Sequence, residues 1–240
     1  MAFGTERRYM TGAQADAAQI DVGLRQYMLR VYNYMASGLA LTGIVALLIG
    51  TNNELLRVLY GTPLKWVVMF APLAVVFFMS ARIEQMRAST AQGLFWLYAG
   101  LVGASLSFIF AVYTGTSIAR VFFITAAAFA GLSLYGYTTK KDLSGFGSFL
   151  IMGVWGLLIA GIVNIFLQSA MMQFVISAAG VLIFAGLTAW DTQRIKEIYW
   201  EADGEEIAAK KAVIGALALY IDFINLFMFM LQFLGVRRDD

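Results

Sequence analysis

An all-α integral membrane protein with seven transmembrane helices is the fold this sequence predicts, and three observations predict it. The 240 residues are 60% hydrophobic and only 13% charged, against about 25% charged in a typical soluble domain. Their mean hydropathy is +0.75. Seven apolar runs, at 28–50, 62–81, 92–113, 118–137, 148–167, 171–190 and 212–234, are each long enough to cross a membrane, which takes roughly 20 apolar residues per helix. So few charges cannot clothe a water-facing surface on a chain of this size, whereas lipid requires none.

The elements follow in order. Residues 1–27 hold Arg7, Arg8, Asp16, Asp21 and Arg25 and no apolar run, so they are no signal peptide. They read as a cytosolic N-terminal tail, partly disordered or an amphipathic lead-in. Residues 28–236 read as one seven-helix membrane domain, and 237–240 as a C-terminal tail. Pro63 opens the second span and Pro72 lies inside it, where a kink is expected. Connections are very short except 191–211, so successive helices pack antiparallel. The small residues Gly103 and Ser107, and Gly153, Gly156 and Gly161, predict close helix packing. Asn33, Asn164 and Gln168 predict hydrogen bonds between helices. Trp96, Tyr98, Tyr113, Trp155, Trp190 and Trp200 predict interface anchors and packing.

Charge placement sets the orientation. Twelve of the 17 Lys and Arg residues fall on the N-terminal side of alternate connections and five on the other. The positive-inside rule therefore places the N-terminus in the cytosol and, after seven spans, the C-terminus outside. Segment 191–211 mixes Glu197, Glu201, Asp203, Glu205 and Glu206 with four basic residues and reads as a solvated cytosolic segment with room for helix.

Composition also excludes. There is no Cys and no His, which removes disulfides, thiol nucleophiles, serine–histidine pairs and imidazole pH sensing. No basic, aromatic-interleaved patch favours nucleic acid. Carboxylates remain as carriers of chemistry. Asp222 lies about ten residues into the last run, roughly 15 Å deep at ~1.5 Å per residue. A charge there costs on the order of 2.5–3.5 kcal/mol, so it must face protein or water. Asp222, Asn225 and Gln232 share a helical face, with Phe229 interrupting it and Gly215 and Ala218 extending it. Asp191 ends the sixth run, with Thr188 and Ile195 on its face. Spacing alone leaves it as either the polar end of a span or a partner for Asp222. If the sixth helix continues toward Trp200, the two can face each other below a cytosol-open cavity. Two such carboxylates would share a proton and respond to pH as a pair. As hard oxygen ligands they suit Ca²⁺ over transition metals.

Three segments carry a resemblance: Lys140-Lys141-Asp142-Leu143-Ser144; Trp190-Asp191-Thr192-Gln193-Arg194-Ile195; and Leu219-Tyr220-Ile221-Asp222-Phe223-Ile224-Asn225-Leu226-Phe227. In this order, and over most of 25–235, the chain resembles the Bax-inhibitor family of transmembrane proteins. The resemblance implies seven helices with the C-terminal one central. It implies a di-aspartyl pH sensor at Asp191 and Asp222 and a gate latch for which Arg82 is the nearest arginine; Thr188 and Asn225, on the same helical faces as the aspartates, are the expected polar lining. An alternative alignment places Ser80 at the latch. For bacterial members it implies a Ca²⁺ leak across the inner membrane, with Ca²⁺ at Asp191 and Asp222 as transported ion and no cofactor required.

Other classes compete. An intramembrane aspartyl protease needs Gly-x-Gly-Asp, and Asp222 follows Leu219-Tyr220-Ile221 instead. A retinal protein needs a lysine in the last span, and Lys210 and Lys211 precede it. No enzyme is expected. The standing alternative is a non-transporting regulator that acts through protein contacts on a membrane protease or another membrane protein. The expected partners are the lipid bilayer and cations.

Overall fold

The computed structural model describes the backbone of residues 12–238 and the side chains of 22–238. Arg7, Arg8, the side chains of Asp16 and Asp21, and Asp239–Asp240 of the two tails lie outside it. The helices are α1 Gly12–Gly50, α2 Asn53–Gly61, α3 Leu64–Arg82, α4 Ala88–Leu106, α5 Ile109–Val112, α6 Gly115–Thr138, α7 Ser144–Leu167, α8 Ala170–Glu197 and α9 Glu205–Leu234. Seven segments are long and apolar enough to cross a membrane: α1 from Val22, α3, α4 together with α5, α6, α7, α8 and α9.

The ends of the spans depart from the apolar runs. Residues 12–27 are helical and continuous with the first span. Helix α8 continues beyond its apolar run to Glu197, so the expected segment 191–211 shrinks to a connection at 198–204. Its polar last turns stay helical because Thr192, Gln193 and Ile195 remain buried on one face. Arg194 and Lys196 in that last turn also complement the helix dipole. Between the first two spans, where only a loop was expected, α2 forms. Asn52 caps it by accepting from the N–H groups of Glu54 and Leu55. None of its residues is buried, and Leu55 and Val58 are exposed, as suits an amphipathic helix on a membrane surface. Pro63 caps α3 and Pro72 is buried within it.

Helix α9 is the centre of the bundle. Of its apolar window 61% is buried, against 11% for α7 and 17% for α3. It packs on α8, α1, α6 and α4. Small residues make its first half narrow: Ala209, Ala212, Gly215 and Ala216 are all buried. Beyond them Tyr220 is fully enclosed, with Phe95 and Tyr98 set edge-on around its ring. Its hydroxyl meets Thr42 Oγ1 at 2.6 Å, and Thr42 donates to the Ala99 carbonyl at 2.8 Å. One hydroxyl pair thus ties α1, α4 and α9. Helices α1 and α4 approach at Gly103, where a Cβ would press on the Thr42 carbonyl. Gly153 lies under Ile183, but Gly156 and Gly161 face open space. The packing expected of these last two is absent, because α7 turns most of its surface to lipid.

Both ends of the bundle are fastened. At the end bearing connections 83–87, 139–143 and 198–204, called here the basic end, Glu206 accepts from the Ala88 N–H. Lys210 reaches the Glu84 carbonyl at 3.2 Å, and Lys211 reaches Ile198 at 3.0 Å and pairs with Asp203. At the opposite end the chain leaving α9 lies against the start of α6. Thr114 N–H donates to Val236 (3.2 Å), Val236 N–H to Ser117 Oγ (2.9 Å) and Arg238 N–H to Val112 (3.0 Å). Arg237 and Arg238 are therefore part of a clasp. Gln168 does not bridge helices. It closes α7 in the left-handed conformation, φ 50°, which costs a non-glycine residue energy and sharpens the turn into α8.

Candidate functional site

The register of α8 against α9 builds the site. Gly215 faces Ile195 and Gly180 faces the Phe229 ring, so residues opposite each other have numbers summing to about 410. Position 188 then stands opposite 222, and Asp191 sits about one turn nearer the basic end. Side-chain direction closes this stagger. A helical Cα–Cβ bond tilts toward its own N-terminus. In an antiparallel pair, Asp222 leans toward the basic end and Asp191 leans away from it, so each reaches for the other. Their carboxyl groups come within hydrogen-bonding reach.

Asp222 is 4% exposed and its Oδ2 receives no N–H or O–H. It lies twelve residues before the end of α9, roughly 18 Å into the helix. Asp191 is partly exposed, six residues before the end of α8. Arg194, one turn on, is exposed and rests over the Trp190 ring at 5.5 Å, lending Asp191 a positive field without a salt bridge. Among the described residues the ion pair is Lys211–Asp203; neither aspartate has a cation in contact. No group of three or more Asp or Glu side chains gathers among them in a metal-binding cluster.

The other expected residues divide. Thr188 is buried on the α8 face toward α9 and donates to its own helix at Phe184. Asn225 donates one amide N–H to the Ile221 carbonyl at 2.8 Å, which leaves its second N–H and its Oδ1 free on a partly exposed face. Phe229 stacks on Phe184, and the aromatic in the polar stripe is thus a packing residue on the same seam. Arg82 is exposed at the end of α3, where Nη1 donates to Gln85 Oε1 at 3.0 Å. It is not joined to Asp191.

Two features beside the aspartates escaped sequence reasoning. Tyr32, Ser133 and Thr192 form a hydroxyl chain, 2.7 and 2.9 Å per link, from α1 through α6 to α8. Only Thr192, four residues after Thr188 and beside Asp191, is visible in the sequence as a hydroxyl on this face; its two partners are not. Gln193 donates to the Lys141 carbonyl and accepts from the Leu143 N–H, each at 2.8 Å. It pins connection 139–143 onto α8. These bonds, with Gly136 pressed against the Ala189 carbonyl, hold the α8 segment carrying Asp191 in place.

Comparison with known proteins identifies the family. Residues 24–239 match the family described as inhibitor of apoptosis-promoting Bax1. The RP147 protein of Rickettsia prowazekii is 48% identical over 219 residues, 91% of this chain and 93% of its own. A Caulobacter vibrioides protein is 48% identical over 245 aligned positions, 97% and 98% of the two chains. The inner membrane protein YbhL of Escherichia coli K12 is 42% identical over 219, 90% and 94%. A seven-span bundle around a central last helix, matched over nearly its whole length, belongs to the Bax inhibitor family.

Proposed function

We propose that this protein is a pH-sensitive cation leak, passing Ca²⁺, whose gate is the Asp191–Asp222 pair. The observation that carries the reading is a buried carboxyl in contact with a second carboxyl, with no cation beside either. Two acid groups so placed are held together by a shared proton and driven apart by two charges. Protonation state is then converted into the spacing of α8 and α9. The pair supplies at most four oxygens, fewer than the six to eight that Ca²⁺ takes. Such a site suits an ion in transit over one held tightly. Arg82 acts as latch in this reading only after leaving Gln85.

The inner membrane is the proposed location, as for YbhL. The basic end and N-terminus face the cytosol by the positive-inside rule. Purified protein in liposomes tests the function. Ca²⁺ entry should change with pH, and Asp222→Asn should remove most of that change. Absence of flux at every pH would overturn the leak and favour the non-transporting regulator.

A further inference from the structure

Helices α1 and α6 both pack on α9 but scarcely on each other. One hydrogen bond, Tyr32 to Ser133, ties them. Along the rest of their seam runs a crevice in two parts. The part at the basic end, about 510 Å³, is floored by Met28, Met35 and Phe129. The deeper part, about 580 Å³, reaches Phe223 and Phe227 of α9.

The two parts lie along one stripe of each helix. Arg25, Met28, Tyr32, Met35, Leu39 and Ala46 follow one stripe of α1. Residues 115, 118, 122, 129, 133 and 137 do the same on α6. From 25 to 47 the crevice follows α1 for ~33 Å at 1.5 Å per residue, about the thickness of a hydrocarbon core. It is overwhelmingly apolar and opens sideways from two membrane spans.

We infer that this α1–α6 crevice binds an acyl chain of a membrane phospholipid with an anionic headgroup, the headgroup seated at Arg25. Charge at the mouth selects the headgroup. Arg25 lines the entrance. Lys196 reaches the carbonyl of Tyr137, which also lines it, at 2.9 Å. Lys140 and Lys141 follow immediately after α6. The acidic group nearby in sequence, Asp142, is already bonded to the Ser144 N–H at 2.8 Å. The inference is independent of the leak reading.

Native mass spectrometry of the purified protein, titrated with equal phosphatidylglycerol and phosphatidylcholine, tests it. Phosphatidylglycerol should be retained about fivefold over phosphatidylcholine, the selectivity one arginine near a headgroup gives. Arg25→Gln should remove most of that preference, and an unchanged preference in this variant would overturn the seat at Arg25. Ala130→Trp, at an exposed crevice position, should displace the lipid. Ala128→Trp, exposed on the same helix outside the crevice, should leave it. Equal retention of both lipids by the unaltered protein would overturn the proposal, as would equal behaviour of the two tryptophan variants. So would a dimer without lipid that Ala130→Trp dissociates, which would assign the crevice to a second copy.

Discussion

The α8–α9 seam carries two polar clusters, one at each half, and they are built on opposite terms. Away from the basic end, Gln173 Nε2 donates to Gln232 Oε1 at 2.8 Å, Ser177 adds a second donor at 3.2 Å, and Asn164 of α7 reaches Gln173 Oε1. All these groups are neutral and find partners. Nearer the basic end, two acids meet and Asp222 Oδ2 finds no donor. The first cluster is what hydrogen-bonded helix association in lipid looks like. The second is costly to bury and adds nothing to packing that a leucine would not. Polarity on a membrane helix therefore does not by itself single out a candidate site; an unsatisfied, ionisable cluster is what sets this one apart.

Four experiments press on that contrast. The largest effect is expected from Asp222→Asn. An amide can donate to Asp191 whatever the pH, so the flux ratio between acid and neutral conditions should fall toward one. An unchanged ratio in liposomes would remove the pair from the gate. Next, Gly136→Val thrusts a side chain into the Ala189 backbone beside Asp191. It should cost roughly 1–3 kcal/mol by overpacking, read as a lower melting temperature in detergent. Gln232→Leu attacks the satisfied cluster. It should cost about 0.6–1.7 kcal/mol and leave the pH profile of flux alone; an altered profile would blur the distinction between the clusters.

The smallest effect concerns Asp142. Its carboxyl is fully exposed, and hydrogen bonds from Ser144, side chain and backbone, hold it below the ordinary carboxylate range. A folded-state value below the unfolded one stabilises above the unfolded value, about pH 4. That contribution fades as pH falls through the folded value. The melting difference between the unaltered protein and Asp142→Asn should therefore be flat above about pH 4 and shrink below it. A difference that grew with acid would contradict the bond to Ser144.

Much of the fold was legible because lipid imposes a simple rule: every span must be apolar for about 20 residues. Composition and run lengths alone account for seven spans. The central place of α9 was implied by the resemblance, and the stripe of Gly215, Ala218, Asp222 and Asn225 agreed with it. The rule fails where helix leaves lipid. Polar α8 residues 191–197 stay helical by burying Thr192 and Ile195 against neighbours distant in sequence, and α2 is too short and too charged to resemble a span. The meeting of Asp191 with Asp222 depends on a register set by Gly180 and Gly215, which no local pattern displays. For the same reason the chain Tyr32–Ser133–Thr192 could not be read from three hydroxyls 101 and 59 residues apart.

The clasp at 112–117 and 236–238 has a mechanical consequence. Helix α9 is fastened at one end to α8 through the short 198–204 turn and its Lys211–Asp203 pair, and at the other to α6. A rod pinned at both ends to different neighbours behaves as an axle: it resists sliding and lets the rim turn about it. The rim pieces with the least grip are α3 and α7, 17% and 11% buried. Rearrangement of the bundle should thus leave the axle and its aspartate in place while the rim, α8 included, moves around it, with α3 and α7 offering the least resistance.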